Sequence, residues 1–227
     1  GFFAKRRQAQ RLSQPHPLRD DALRTPDERF ARLPDYPWAP RWVSTLPSLG
    51  GLRLHYVDDG PEDAPLTWWC QHDHAGWSYV YRHMIPVWLA AGHRVVAPDL
   101  IGFGKSDKPK KEHAHSLEWH LQALQELLMH LDLKRVVMVM PAGDALATLL
   151  LQAEPDRFVG HWPVAADGGN DQGARDALDA PFPDRGHRAG PRAWSRLVSA
   201  ENTLSRVGTA SPPNAASAHA ALAHFFY

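Results

Sequence analysis

Residues 135–151 read RVVMVMPAGDALATLLL and decide the expected fold, because a buried strand meets a helix there across a tight turn. The apolar, valine-rich run 135–140 is typical of a fully buried strand. The Ala/Leu-rich run that begins at Ala145 meets no helix breaker before Pro155, and it predicts a helix. Residues 141–144, Pro-Ala-Gly-Asp, form the turn between them. Strand-turn-helix units of this kind can hold a nucleophilic side chain above a sheet.

Composition narrows the classes of partner. Lys plus Arg and Asp plus Glu each number 25, so the formal net charge is zero. A neutral chain creates no overall field that attracts nucleic acid or an anionic membrane. The single cysteine, Cys70, excludes an internal disulfide and lies in the apolar run 66–70. Because no apolar run reaches membrane-spanning length and residues 1–23 lack the order of a secretory signal, we expect a cytoplasmic protein.

Strands and helices alternate along the middle of the chain. This alternation predicts an α/β fold, with a parallel sheet covered by helices on both faces. After residue 166 we find no convincing strand, so we divide the chain into a lead (1–50), a core (51–166) and a divergent C-terminal segment (167–227). The predicted strands are 52–57, 66–71, 93–98, 135–140 and 158–166, and the predicted helices are 78–91, 116–131 and 145–152.

Four stretches together carry a family resemblance. They are RTPDERF (24–30), LRLHYVD (52–58), WSYVYRHMIP (77–86) and RVVAPDLIGFGKSDKP (94–109). Jointly they resemble the haloalkane dehalogenase branch of the α/β-hydrolase superfamily over about residues 24–158. A weaker echo lies in residues 179–190. The resemblance implies an α/β-hydrolase-like sheet with most of the cap domain missing and with late strands lost or divergent.

The resemblance also implies a reaction without a cofactor. In that family an elbow Asp attacks the carbon that bears the halogen, and a His then activates water while an acidic residue orients the His. Aligned from the strand, Ala142 takes the nucleophile position and Gly143 takes the position of a halide-binding Trp; aligned from the helix, Pro141 takes the nucleophile position. Asp144 is the only nearby carboxylate, and the alternative is that Asp144 caps the following helix.

The loop after the second predicted strand matches the family's halide site. His74 falls where the family carries an Asn or Glu halide ligand, and an imidazole N–H can donate to an anion. The alternative is an ordinary loop histidine. His72 and His74 form an H-x-H pair, but no further ligand follows at an informative spacing, so we expect no metal. We interpret His113, His115 and His120 as surface residues around a helix start.

The acid and the base are harder to place, because in this superfamily they follow late strands. Asp167 and Asp171 are the candidate acids, and the downstream histidines are His187, His219 and His224. None of these residues lies in a recognisable context.

Several functions are compatible with these residues. The first is a haloalkane-dehalogenase-like hydrolase that acts on a small apolar or halogenated molecule. The second is a catalytically silent homologue that serves as a scaffold for binding or interaction, because the elbow Asp, the halide Trp and most of the cap are all missing from their expected positions. An epoxide hydrolase uses the same elbow Asp and is a further alternative. The last is a defective fragment without function, which would expose an unpaired sheet edge.

Overall fold

The computed structural model describes residues 17–165, 171–199 and 210–226. The strands are β1 Ala22–Leu23, β2 Arg41–Val43, β3 Leu54–Asp59, β4 Thr67–Cys70, β5 Arg94–Pro98, β6 Lys108–Pro109, β7 Val136–Pro141 and β8 Phe158–Val164. The α-helices are α1 Ile85–Ala90, α2 Leu117–His130, α3 Ala145–Ala153, α4 Gln172–Asp179, α5 Ala189–Ser199 and α6 Ala215–Phe226. Short 3-10 helices occupy Asp27–Phe30, Pro47–Leu49, Ser78–Tyr81, Glu112–Ala114 and Gly186–Arg188.

A six-stranded sheet with the order β2-β3-β5-β4-β7-β8 forms the centre of the fold. The strands β5, β4, β7 and β8 are parallel. The strand β3 runs antiparallel to both β2 and β5. The sheet is therefore mixed rather than wholly parallel. A short connection suffices between antiparallel neighbours, whereas the parallel strands need helical crossovers.

The parallel strands are buried on both faces. On one face Trp69, Val96 and Met138 pack with α2, α3 and α5. On the other face Trp68 and Val137 pack with α1, α4 and α6. Two separate apolar clusters therefore sandwich the sheet, which explains why these strands read as unbroken apolar runs.

The predicted helix over residues 78–91 is interrupted. Residues Ser78–Tyr81 form a 3-10 turn, and the α-helix proper begins only at Ile85. A proline sits in the first turn of α1, where the missing N–H costs no helical hydrogen bond. The helix α2 agrees with the prediction, and the Ser116 side chain caps it by accepting from the Trp119 N–H.

The C-terminal segment holds more regular structure than the sequence indicated. The helices α4 and α5 account for most of residues 171–199, where we predicted no helix. The helix α6 adds twelve further helical residues. It docks on the core because Trp88 donates its indole N–H to the Ala218 carbonyl at 3.3 Å. The small Gly160 on β8 leaves room for the Phe225 ring.

Within the described residues the sheet ends at β8. The only pairing beyond it is an isolated parallel bridge between Val164 and Ser211. Pro163 lies in this last strand, and proline is tolerated at a sheet edge because it needs no ladder partner for an N–H. No helix among the described residues has the length and apolar character needed to cross a membrane.

Candidate active site at the strand-helix turn

The turn between β7 and α3 is closed by a backbone hydrogen bond. The Asp144 N–H donates to the Pro141 carbonyl at 3.1 Å, and Gly143 has φ +80°. Only glycine adopts this left-handed conformation without strain, which is why the turn needs glycine at this position. Ala142 and Gly143 are exposed at the tip of the turn. Neither alignment of the elbow therefore places a nucleophilic side chain there.

Asp144 begins the helix α3 as its N-cap. Its Oδ1 accepts from the Ala147 N–H at 2.7 Å, so the predicted capping alternative is confirmed. The side chain is half-buried. Burial raises the pKa of Asp144 to about 7; the Ala147 N–H opposes this rise and the charge of Asp73 adds to it. The elbow thus holds one carboxyl group whose protonation changes near neutral pH.

His72 is a structural histidine. Its Nδ1 lies 2.6 Å from the Asp73 carbonyl, and its Nε2 accepts from the Leu100 N–H at 2.9 Å. Both ring nitrogens are therefore used, and the accepting Nε2 requires a neutral ring. Burial lowers the pKa of His72, in agreement with this hydrogen bonding. His72 therefore has no free nitrogen for a metal shared with His74.

His74 is exposed in the same loop. The Asp73 carboxylate accepts from the Ala75 N–H at 2.9 Å and fixes the loop on either side of His74. Because β4 and β7 are parallel neighbours, this loop and the Asp144 turn leave the sheet at the same edge. No hydrogen bond joins the His74 ring to Asp144 among the described residues. The structure brings the two predicted site residues to one edge without direct contact.

A buried ionic centre supports the loop that follows β5. The Asp99 carboxylate lies 2.7 Å from His55 Nδ1 and accepts the backbone N–H groups of Ser78 and Lys105, each at 2.8 Å. Burial alone would raise the pKa of Asp99, but the neighbouring His55 and these donors hold it below its ordinary value. A Cβ on Gly104 would lie 2.1 Å from Asp99 Oδ2, so this position requires glycine. No sequence pattern singles out the pair of His55 and Asp99.

The surface interpretation was wrong for two of the three histidines around the start of α2. His115 and His120 are 4% and 1% exposed, and His115 Nδ1 lies 3.1 Å from His120 Nε2. His120 also packs against Trp194 of α5. The helical spacing of Leu117, His120 and Leu124 was the available signal, because it places His120 on the buried face. Only His113 is exposed.

The candidate acids and bases are not assembled around Asp144. Asp167 lies outside the described residues. Asp171 caps α4 by accepting the Ala174 N–H, and His187 lies 2.9 Å from Asp184. His219 and His224 are exposed on α6. Within the described ranges, no hydrogen bond or ion pair joins His187, His219 or His224 to Asp144.

A cavity of about 490 Å³ lies away from the elbow, between the Asp27–Phe30 turn and α4. Charged side chains line much of it, which does not suit a small apolar molecule. In the part of the chain that the structure describes, no group of three or more His, Cys, Asp or Glu side chains is arranged to hold a metal ion. The lining residues are Glu28, Arg29, Asp176, Asp179 and Ala180.

The sandwiched sheet with a strand-helix elbow at its carboxyl edge defines an α/β hydrolase. The family model for the alpha/beta hydrolase fold matches residues 71–140. A haloalkane dehalogenase from Psychrobacter cryohalolentis is 37% identical over 215 residues, which cover 78% of this chain and 70% of the relative. A haloalkane dehalogenase from Mycolicibacterium paratuberculosis is 36% identical over 214 residues, which cover 78% of this chain and 71% of the relative. This chain therefore belongs to the haloalkane dehalogenase family.

A solved structure agrees with this assignment. The tetrameric haloalkane dehalogenase DpaA from Paraglaciecola agarilytica NO2 superposes with a TM-score of 0.73 at 35% identity, covering 78% of this chain and 71% of that chain. The α/β-hydrolase fold and the family resemblance predicted from the sequence are thus confirmed. The division into segments 1–50, 51–166 and 167–227 stays a prediction.

Proposed function

We propose that this protein hydrolyses the carbon–halogen bond of small haloalkanes and that Asp144 is its nucleophile. The observation that carries the proposal is the Asp144 carboxyl group, which stands at the elbow of a chain from the haloalkane dehalogenase family. Burial raises the pKa of Asp144 to about 7, so the ionised form that attack requires is populated from neutral pH upward, and the Ala147 N–H at the start of α3 favours it. A cytoplasmic location and the lack of a nucleic-acid partner stay predictions.

The chemistry follows from the way the carboxyl group is held. The Ala147 N–H binds Oδ1, and we assign the attack to Oδ2. A carbon–oxygen bond forms, the carbon–halogen bond breaks, and the halide leaves with the bonding electron pair. Water then cleaves the ester, which returns the carboxylate and releases an alcohol and a proton. His74, exposed at the same edge, supplies an N–H donor for the departing halide. Asp167 remains the candidate for the acid.

A second function has its own supporting observation. Ala142 and Gly143 occupy the tip of the turn, and Asp144 already serves as a helix cap. A homologue without covalent chemistry would keep the sheet and bind a small molecule without turnover. Without a nucleophile, only binding and electrostatic stabilisation remain, so such a protein would bind a bromoalkane and release no bromide.

Bromide release from a short bromoalkane distinguishes these two functions. The variant Asp144→Asn keeps an oxygen for the Ala147 N–H but removes the nucleophile. The matched control is Asp59→Asn, since Asp59 also accepts a backbone N–H, from Gly60 at 2.8 Å, and is exposed. It ends β3, which runs antiparallel to β5, so it lies at the opposite edge of the sheet.

We expect the wild type and Asp59→Asn to release bromide at equal rates, and Asp144→Asn to lose at least about a thousandfold. Equal release by Asp144→Asn would exclude Asp144 as the nucleophile. No release by any folded sample, together with saturable binding of the bromoalkane, would support the silent homologue instead. A short epoxide assayed in parallel tests the epoxide hydrolase alternative.

A further inference from the structure

Tyr81 is fully buried at the end of the Ser78–Tyr81 turn. Its hydroxyl group donates to the carbonyl oxygen of Gln71, directly after β4. The same hydroxyl lies 3.4 Å from the carbonyl oxygen of Val139 in β7. One side chain thus contacts the backbone of both strands that lead into the candidate site.

The contact falls where the two strands separate. The Gln71 N–H donates to Val139 O at 2.8 Å, just beyond the last pair of the β4–β7 ladder. One strand leads into the His72–His74 loop and the other leads into the Asp144 turn. Burial raises the pKa of Tyr81 well above its ordinary value, and the charges of Asp73 and Asp144 add to this effect. The hydroxyl therefore lies within electrostatic range of both halves of the site.

We propose that Tyr81 is a positioning residue that sets the spacing between the Asp144 carboxyl group and the loop carrying Asp73 and His74, an inference that rests on the proposed function. The hydroxyl touches no substrate in this role. It holds the Gln71 carbonyl at the end of β4, so it fixes the point from which the His74 loop departs. The proposed reaction then depends on Tyr81 through the geometry of Asp144 and His74.

The variant Tyr81→Phe removes the hydroxyl and keeps the ring. The buried Gln71 carbonyl then loses its donor, and the end of β4 relaxes to find another. A displaced Asp73 contributes differently to the raised pKa of Asp144, to which its charge adds in the wild type. We therefore expect the pKa of Asp144 to shift in this variant.

The matched control is Tyr36→Phe. Tyr36 is also a buried tyrosine, and its hydroxyl lies 2.6 Å from Ser78 Oγ in the same turn, whereas the Tyr81 hydroxyl contacts the carbonyl oxygens of Gln71 and Val139. Both variants lose one buried hydroxyl group, so both should lower the melting temperature by a similar amount. A purely structural role would make them behave alike in every assay.

Two measurements decide the inference. In bromide release, Tyr81→Phe should lose about tenfold in kcat with less than about a twofold change in KM, while Tyr36→Phe stays within about twofold. In a carboxyl carbon NMR titration, with Asp144 assigned from Asp144→Asn, only Tyr81→Phe should shift the midpoint of Asp144. Equal titration and equal kcat for the two variants would overturn the positioning role.

The titration does not depend on turnover. If the folded wild type releases no bromide, the proposed function fails, while a shifted Asp144 midpoint in Tyr81→Phe still supports the positioning role and an unshifted one overturns it. If Tyr81→Phe does not fold, 3-fluorotyrosine at position 81 replaces it, because the fluorine strengthens the hydroxyl as a donor and keeps the shape. A changed Asp144 midpoint then supports the inference, and an unchanged midpoint overturns it.

Discussion

Asp144→Asn should stabilise the protein most at alkaline pH, because burial raises the pKa of Asp144 to about 7. An acid with a higher pKa in the folded chain than in the unfolded chain binds its proton more tightly when folded. Below about pH 4 both states are protonated, and between about pH 4 and pH 7 ionisation favours the unfolded chain. The stability that the folded protein gains from protonated Asp144 is therefore lost as the pH rises through 7. The asparagine amide does not ionise and still caps α3.

The magnitude follows from the size of the shift. A rise in the pKa of Asp144 from 3.8 to about 7 changes the free energy of unfolding by at most about 4 kcal/mol, at 1.36 kcal/mol per pKa unit. Because the side chain is only half-buried, solvent reduces this to about 1–2 kcal/mol. Urea unfolding followed by tryptophan fluorescence at about pH 5 and pH 8 measures the difference between wild type and Asp144→Asn, with Asp59→Asn as control.

The free-energy gain of Asp144→Asn should grow between the two pH values, whereas Asp59→Asn should show no such growth. A gain that shrinks as the pH rises would refute the reasoning. It would mean that the backbone N–H groups at the start of α3 outweigh burial and hold the pKa of Asp144 below its ordinary value.

Three further predictions concern the rate, the supporting loop and the halide. Bromide release should rise about tenfold between pH 6 and pH 8 as Asp144 ionises; a flat profile would contradict this. Gly104→Ala should lower the free energy of unfolding in urea by about 3 kcal/mol or more, because the added Cβ would lie 2.1 Å from Asp99 Oδ2. An unchanged unfolding midpoint would contradict this. His74→Ala should weaken inhibition by bromide about tenfold without changing the urea midpoint, whereas the control His113→Ala, at another exposed histidine, should leave the inhibition unchanged. Equal inhibition of the two variants would exclude His74 from the halide site.

The strands and helices of the core were predictable because the buried strands are unbroken apolar runs and the helices show helical periodicity. The predicted strand 135–140 corresponds to Val136–Pro141, and the predicted helix 116–131 corresponds to Leu117–His130. Ser116 begins this helix as its cap, since the Ser hydroxyl readily accepts a backbone N–H at a helix start. Local rules were sufficient wherever local interactions determine the structure.

Features that depend on distant contacts were not predictable. The antiparallel β2 was missed because only three residues pair with β3, in a segment rich in proline and tryptophan. The full length of helix α6 was not predictable because its small alanines give little periodic signal, whereas tertiary contacts such as Trp88 with Ala218 hold it. Intrinsic helix or strand propensity is a weak guide where tertiary packing determines the secondary structure.

The candidate site was partly predictable. The sequence identified the elbow and the absence of a nucleophile at its tip, and it left the role of Asp144 open between nucleophile and cap. The buried pairing of His55 with Asp99 joins residues 44 positions apart, so no local pattern reveals it. The same holds for Tyr81, whose hydroxyl reaches Val139 across 58 positions.

The mass of the protein after brief exposure to a bromoalkane tests the central claim most directly, namely that Asp144 displaces the halide. Acid quenching immediately after the exposure should trap the alkyl ester before water cleaves it. We predict that the wild type gains one alkyl group, carried by the peptide that contains residue 144, and that Asp144→Asn gains none. An unmodified wild type, or an alkyl group that Asp144→Asn also acquires, would contradict the account.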